Sequence, residues 1–126
     1  MPVIFQVALG GALGAGLRYL SGSATLRLLG SGFPYGTMIV NILGSFIMGL
    51  AAFYMLERMD GSYARFAPFM LTGVLGGFTT FSAFSLDALY LLERGRMAAA
   101  LFYMGGSVAL AMLALFAGIA LARMIT

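Results

Sequence analysis

The second hydrophobic segment of this chain carries polar side chains at a regular spacing. Thr37, Asn41 and Ser45 stand at positions i, i+4 and i+8, which places them on one face of a helix. Tyr103 and Ser107 repeat the same spacing later in the chain. Polar groups inside lipid are costly, so they either bond a neighbouring helix or line a polar path. Both uses stay open for the hydroxyls, but the amide of Asn41 has four hydrogen-bonding positions to satisfy and is harder to explain by packing.

A second candidate site is the sequence GGFTTFSAFS, from Gly76 to Ser85. Two glycines followed by two β-branched threonines are unfavourable inside a helix, so we expect the third segment to break here. Irregular backbone at membrane depth must be buried in protein or line a cavity. The freed carbonyl oxygens suit Na⁺, and two copies of the chain meeting here would enclose one ion. A plain glycine kink is the alternative.

An aromatic pair follows this expected break. Phe81 and Phe84 are three residues apart and share a helix face, with Ser82 and Ser85 on the face beside it. Such a pair is commonly core packing. However, the edge of a phenyl ring is positive. Ring edges and hydroxyl donors, without a full cation, would hold a small anion weakly enough to release it.

The composition is that of a membrane protein. Of 126 residues, 62% are hydrophobic and 9% charged, whereas soluble domains carry about 25% charged residues. The chain has no Cys and no His, which removes thiolate sites and histidine chemistry, and its seven basic residues are scattered arginines rather than a patch for nucleic acid. We therefore expect residues 1–126 to form one transmembrane domain that is not an enzyme and binds no nucleic acid.

Charged and turn residues divide the chain into four hydrophobic segments. Their predicted bounds are Val3–Leu29 (interrupted by Arg18 and Ser21-Gly22-Ser23), Thr37–Leu56, Phe66–Leu92, and the stretch after Arg96 as far as Ala122. They are separated by the loop Gly30–Gly36 and by charged turns at Glu57–Arg65 and Glu93–Arg96. About 20 apolar residues cross a bilayer. The predicted fold is all-α, a four-transmembrane-helix bundle with a broken third helix in a multi-pass membrane protein surrounded by lipid.

The arginines are almost evenly divided between the two ends of this bundle. The side of the N-terminus has Arg58, Arg65 and Arg123, and the other side has Arg18, Arg27, Arg94 and Arg96. Orientation follows the Lys/Arg bias, so a weak bias leaves two possibilities. Either the first helix decides the orientation, or both orientations insert and pair as an antiparallel homodimer. We favour this dual topology.

The ordered set of motifs resembles the Fluc (CrcB) family of fluoride channels over the whole chain. The motifs are GGALGAGLRYL in the first segment, PYGTMIVNILGSFIMG around Asn41, GGFTTFSAFS after Thr72-Gly73, and YMGGS in the fourth segment. Any one of them is a weak signal, but their order and the four spans make the resemblance specific. It implies a channel in the bacterial inner membrane that exports fluoride and gives fluoride resistance.

The resemblance also implies roles for individual residues. The family's antiparallel homodimer has two pores and a structural Na⁺ on its axis, here matched to the backbone carbonyls of Gly76 and Thr79. Phe81 and Phe84 match the pore aromatics, and Asn41 matches the pore amide. The other matched positions are Tyr103 and Ser107 of the polar track and Arg18, the basic residue of the first helix. Thr37, Ser45 and Ser82 are the further candidates for lining the fluoride path.

Three positions depart from the family pattern. Ala83 stands where Thr is frequent, Ala111 replaces a hydroxyl residue one turn after Ser107, and Asp87 replaces Glu. The two alanines shorten the polar track.

The main rival reading is a small multidrug-resistance-type exporter, also with four spans and dual topology. It needs a carboxylate in the first helix, and the first segment contains no Asp or Glu. A second rival is a proton-translocating or structural proteolipid that uses Asp87. That residue is about a turn and a half from Glu93, so we expect it near an interface.

Overall fold

The computed structural model describes residues 1–58 and 65–125, and within these ranges the chain is helical and connected by short loops. α1 is Val3–Leu29, and α2 is Tyr35–Ala52, continued by a π-helical stretch at Phe53–Arg58. α3 combines the π-helical residues Pro68–Leu75 with the α-helical turn Gly76–Phe78. α4 is Ser82–Glu93, and α5 is Met97–Met124. Asp60 and most of the predicted turn Glu57–Arg65 lie outside the described residues.

Four stretches of this helical chain are long and apolar enough to cross a bilayer. They are Val3–Leu29, Tyr35–Met55, Pro68–Glu93 and Met97–Met124, with mean hydropathies between 1.4 and 2.1. The all-α prediction with four spans is therefore confirmed. The polar residues near the end of the first span do not interrupt it, because the Thr25 hydroxyl donates to the Ser21 carbonyl one turn earlier at 2.6 Å. α1 ends at Gly30, whose φ of 81° favours glycine.

The helices pack in two parallel pairs through their small residues. Along α1 and α3, a Cβ on Gly73 would come within 2.9 Å of the Gly10 Cα, and one on Gly14 would meet the backbone of Val74. Along α2 and α5, a Cβ on Gly49 would come within 3.0 Å of the Ile119 nitrogen. Glycine at these contacts lets the backbones approach closely, as in other membrane bundles.

α4 packs its inner face on α5 and α2. Phe84, Ala88 and Leu91 are buried against Tyr103 and Met38, and Tyr103 is completely covered. At the same end of the bundle, the Arg96 guanidinium donates to the Gly32 carbonyl in the loop between α1 and α2. The outer faces are apolar and exposed, with Leu13 and Phe116 more than half accessible. These faces suit contact with lipid or with another protein chain.

Candidate functional site: a polar cavity beside the α3–α4 connection

The connection between α3 and α4 leaves the helical path for a few residues. Thr79 has an extended backbone, with φ of −86° and ψ of 160°, and α4 begins at Ser82. Both the amide and the hydroxyl of Thr79 donate back to the Leu75 carbonyl, at 3.1 and 3.0 Å. The Thr80 hydroxyl accepts from the Ala83 amide at 3.2 Å, in the manner of a helix cap. The local side chains therefore fix both ends of the connection.

Asn41 holds the middle of this connection from α2. Its Oδ1 accepts from the Thr80 amide at 2.8 Å, and its Nδ2 donates to the Thr80 carbonyl at 3.0 Å. The side-chain amide thus pairs with one residue's backbone as a neighbouring strand would. Because only one of the two Nδ2 hydrogens is used, one N–H donor of Asn41 is left over.

Arg18 bonds the last turn of α3 from the other side. Its Nε donates to the Gly77 carbonyl at 3.1 Å. The hydrogen bonds of the described residues thereby satisfy the carbonyls of Leu75, Gly77 and Thr80, but give no donor to those of Gly76, Phe78 and Thr79. Gly76 is exposed on this single chain and Thr79 is half-buried. The two carbonyls that the resemblance assigns to the cation therefore accept no hydrogen bond from the described residues, and the cation site remains a prediction.

A cavity of about 230 Å³ lies beside the connection. It is bounded by polar residues of α2, the connection and α5, together with both phenylalanines of α4's first turns. Its lining comprises Asn41, Ser45, Thr79, Thr80, Phe81, Phe84, Ser107, Val108 and Ala111. Five of the predicted path residues are therefore brought together in one cavity: Asn41, Ser45, Phe81, Phe84 and Ser107.

The polar groups of this cavity include donors that have no partner. The Ser107 hydroxyl is buried and has no hydrogen-bond partner among the described residues. Two oxygens that would repel an anion are already hydrogen-bonded: the Asn41 Oδ1 accepts from the Thr80 amide, and the Thr80 carbonyl accepts from the Asn41 Nδ2. Among the described residues, the lining contains no Asp, Glu or Arg. A buried polar group without a partner is costly, and a ligand that accepts a hydrogen bond from Ser107 would remove that cost.

The two phenylalanines differ sharply in exposure. Phe84 is 9% exposed and its ring lies 5.1 Å from that of Tyr103, whereas Phe81 is 75% exposed. Their own ring centroids are 5.5 Å apart, inclined at 51°. Phe84 is therefore part of the core as well as the cavity wall, while Phe81 extends away from the chain that carries it.

The remaining predicted residues lie around the cavity rather than in its wall. Tyr103 is buried behind Phe84 and donates to the Asp87 carboxylate at 3.1 Å. Thr37 lines a neighbouring cavity of about 320 Å³ that also contains Arg18 and Thr80. The Ser82 hydroxyl is 3.2 Å from that of Thr80. Their assignment to the fluoride path remains a prediction.

Asp87 lies at the loop end of the bundle, as expected for an acid near an interface. It lines a cavity of about 320 Å³ with Arg94, Thr37 and the loop between α1 and α2. Of the departures from the family pattern, Ala111 lines the cavity next to Ser107 and supplies no hydroxyl there. Ala83 faces the cavity of Arg18.

Thr80 is a residue of the cavity wall that the sequence pattern did not single out. It contributes mainly through its backbone amide and carbonyl, which bond to Asn41. Backbone groups are present at every residue and leave no side-chain pattern in the sequence. One feature of the sequence could have indicated Thr80. Asn41 needs several hydrogen-bond partners, and the expected break in the third segment leaves backbone groups unpaired.

Comparison with known proteins identifies the family. Residues 5–119 match the family described as CrcB-like protein, Camphor Resistance (CrcB). A relative from Cereibacter sphaeroides, named fluoride-specific ion channel FluC, is 53% identical over 120 residues, covering 95% of this chain and 94% of the relative. A protein of the same name from Rhizobium meliloti is 52% identical over 123 residues, 98% of each chain. One from Agrobacterium fabrum is 50% identical over 120 residues, 95% of each.

These relatives extend over nearly the whole chain and include all four membrane-length helices. The chain is a multi-pass bacterial membrane protein. The motif resemblance seen in the sequence is confirmed by the family match and by identities of about half over nearly the full length, and the chain belongs to the CrcB family.

Proposed function

We propose that this protein is a fluoride-selective ion channel that exports cytoplasmic fluoride down its electrochemical gradient and so gives fluoride resistance. The relatives that match it most fully carry the name fluoride-specific ion channel. The observation in the structure that supports the proposal is the cavity of donors, in which the Ser107 hydroxyl and one Asn41 N–H have no partner.

Uncharged donors explain how a channel can hold fluoride and still release it. A full cation in the wall would bind a small anion tightly and slow its exit, since conduction needs binding that is favourable but weak. Serine hydroxyls, one amide N–H and positive ring edges each attract an anion modestly. Fluoride is small enough to approach these donors closely, whereas chloride is larger and gains less from the same contacts.

The test is efflux from proteoliposomes loaded with fluoride or chloride and containing the purified chain. We expect fluoride to leave and chloride to remain. A Ser107→Ala variant removes the unpartnered hydroxyl and should reduce fluoride efflux, while Val108→Ala in the same wall removes no polar group and serves as its control. Equal fluoride and chloride efflux through the wild-type protein would contradict the proposed selectivity.

We propose further that the connection is a true break in the third span that holds a structural Na⁺. Gly76 and Thr79 would supply carbonyl oxygens, which are hard ligands suited to this ion. Their fit rests on the hydrogen bonds described above, which leave both carbonyls without a donor. The bound ion would neutralise carbonyl dipoles from two subunits at one point of the dimer.

Changing the backbone of the cation site should matter more than changing its side chains. Thr79→Ser keeps the carbonyl and the hydroxyl, so we expect efflux close to that of the wild type. Gly76→Val changes the preferred backbone conformation and should lower both efflux and dimer content. Replacing Na⁺ by a large organic cation should lower the thermal stability of the wild type, and full stability without Na⁺ would remove the ion from the proposal.

The proposed assembly is an antiparallel homodimer formed by chains of both orientations. The near-equal arginine count supports dual insertion. Phe81, 75% exposed at the cavity's edge, supports an incomplete path, because a large ring is left there for a second subunit to cover. Size measurement in detergent should give a dimer, and a monomeric but conducting protein would contradict this arrangement.

A further inference from the structure

We propose that Arg18 is a positioning residue for the proposed cation site, where it sets the direction of the α3 carbonyls through the Gly77 oxygen. This inference rests on the proposed function. The contact that carries it is the hydrogen bond of 3.1 Å from the Arg18 Nε to the Gly77 carbonyl, between residues 59 positions apart.

The end of α3 needs such a support because its backbone is soft. The last carbonyls of a helix have no partner within the helix, and here two of the terminal residues are Gly76 and Gly77. Glycine has no Cβ and rotates more freely than any other residue. Packing requires glycine at position 77, since a Cβ there would come within 2.7 Å of the Gly11 carbonyl oxygen. The residue that permits close packing therefore also leaves the carbonyl direction undetermined.

Arg18, which lies on α1, restricts this freedom at the end of α3. A guanidinium has no acceptor and always carries charge, so it is a strong and permanent donor to a helix carbonyl. Holding the Gly77 carbonyl fixes the peptide plane next to the one that carries the Gly76 oxygen, and so restricts the directions that the Gly76 oxygen can take. Thr79 bonds the Leu75 carbonyl and Asn41 bonds the Thr80 carbonyl, whereas the carbonyls of Gly76, Phe78 and Thr79 accept no hydrogen bond from the described residues and remain for a ligand.

A different role for Arg18 would be to attract fluoride by its charge. The guanidinium also borders the cavity of about 320 Å³ that contains Thr37 and Thr80. The two roles make opposite predictions for the effect of Arg18 on Na⁺ affinity. A positioning residue strengthens Na⁺ binding, whereas a simple positive charge near a cation weakens it by repulsion. The Na⁺ requirement of an Arg18 variant therefore separates them.

The experiment measures the melting temperature of the purified full-length dimer against Na⁺ concentration, with N-methylglucamine keeping the ionic strength constant, and fluoride efflux beside it. The variants are Arg18→Met, which has neither donor nor charge, and Arg18→Lys, which keeps both. The control is Arg27→Met, which removes one charge from an exposed position of the same helix and changes the arginine balance across the membrane equally.

For Arg18→Met we expect the half-saturating Na⁺ concentration to rise by about tenfold or more, the range for loss of a hydrogen bond with a charged partner. Efflux should recover at high Na⁺. Arg18→Lys and Arg27→Met should stay within about threefold of the wild type, on the same reasoning. A half-saturating Na⁺ concentration that is unchanged or lower in Arg18→Met would overturn the inference. A wild-type melting temperature that does not depend on Na⁺ would overturn it too. A wild type that does not conduct fluoride would refute the proposed function instead.

Discussion

Placing one negative charge in the donor cavity should nearly abolish fluoride efflux. Asn41→Asp changes side-chain volume very little and keeps the bond from the Thr80 amide to Oδ1. It replaces the Nδ2 donor by a second oxygen, which faces the Thr80 carbonyl and the cavity. The variant therefore exchanges an anion's hydrogen-bond donor for a like charge while the helix positions are retained.

The size of the effect follows from the dimensions of the cavity. An anion crossing a space of about 230 Å³ passes within a few ångströms of each lining side chain. Two negative charges about 4 Å apart repel by about 4 kcal/mol at an effective dielectric constant of about 20. Since each 1.4 kcal/mol is about a factor of ten, fluoride efflux should fall by about 100- to 1000-fold.

The assay is fluoride-electrode efflux from proteoliposomes, with dimer content checked for each variant. Ser45 lines the same cavity and has no bond to Thr80, so it supplies a matched pair. Ser45→Asp should lose efflux strongly, and the equally sized Ser45→Asn should stay within about tenfold of the wild type, because only the first adds the repulsion. If the assembled Asn41→Asp or Ser45→Asp dimers conduct within tenfold of the wild type, the cavity is not the fluoride path.

Three further predictions concern the aromatic pair, the packing of α1 and the orientation of the chain. Phe81→Ile or Phe84→Ile should reduce fluoride efflux strongly and the melting temperature only slightly, because an aliphatic side chain lacks the positive ring edge. If efflux falls only in proportion to the loss of thermal stability in each variant, the two rings serve packing alone. Gly14→Ala should lower the melting temperature, because its Cβ would overlap the Val74 carbonyl, whereas a Cβ at Gly11 meets none of the described residues and Gly11→Ala should be neutral. Three added lysines at the C-terminus should fix one orientation and reduce efflux, with recovery on co-expression of a chain fixed in the opposite orientation; full efflux from the locked chain alone would contradict the antiparallel dimer.

Much of the fold could be predicted because lipid imposes strong constraints on sequence. The four spans follow from hydropathy and charge alone, and their bounds differ from the structure by a few residues. The interruption expected from Ser21-Gly22-Ser23 did not occur, since a serine or threonine hydroxyl can bond a carbonyl one turn earlier inside a helix. The π-helical stretches at Phe53–Arg58 and Pro68–Leu75 have no composition signal that distinguishes them from α-helix.

The site was predictable in its side chains but not in its backbone partners. The four-residue spacing placed Asn41 and Ser45 in one cavity, but Thr37 borders other cavities one turn away. The partners of Arg18 and Asn41 are backbone groups of Gly77 and Thr80, which only the packing of helices distant in sequence could reveal.

The two short helices of the third span have a consequence for how the protein enters the membrane during synthesis. α4 has 12 residues and reaches roughly 18 Å, well short of the roughly 30 Å of a bilayer core. The insertion machinery must therefore recognise Pro68–Glu93 as one segment of 26 residues. Asn41 is synthesised before that segment, so the amide that pairs with Thr80 is already in the membrane when the unpaired backbone arrives. The order of the helices along the chain thus lets these peptide groups find their partner on a helix that was synthesised earlier.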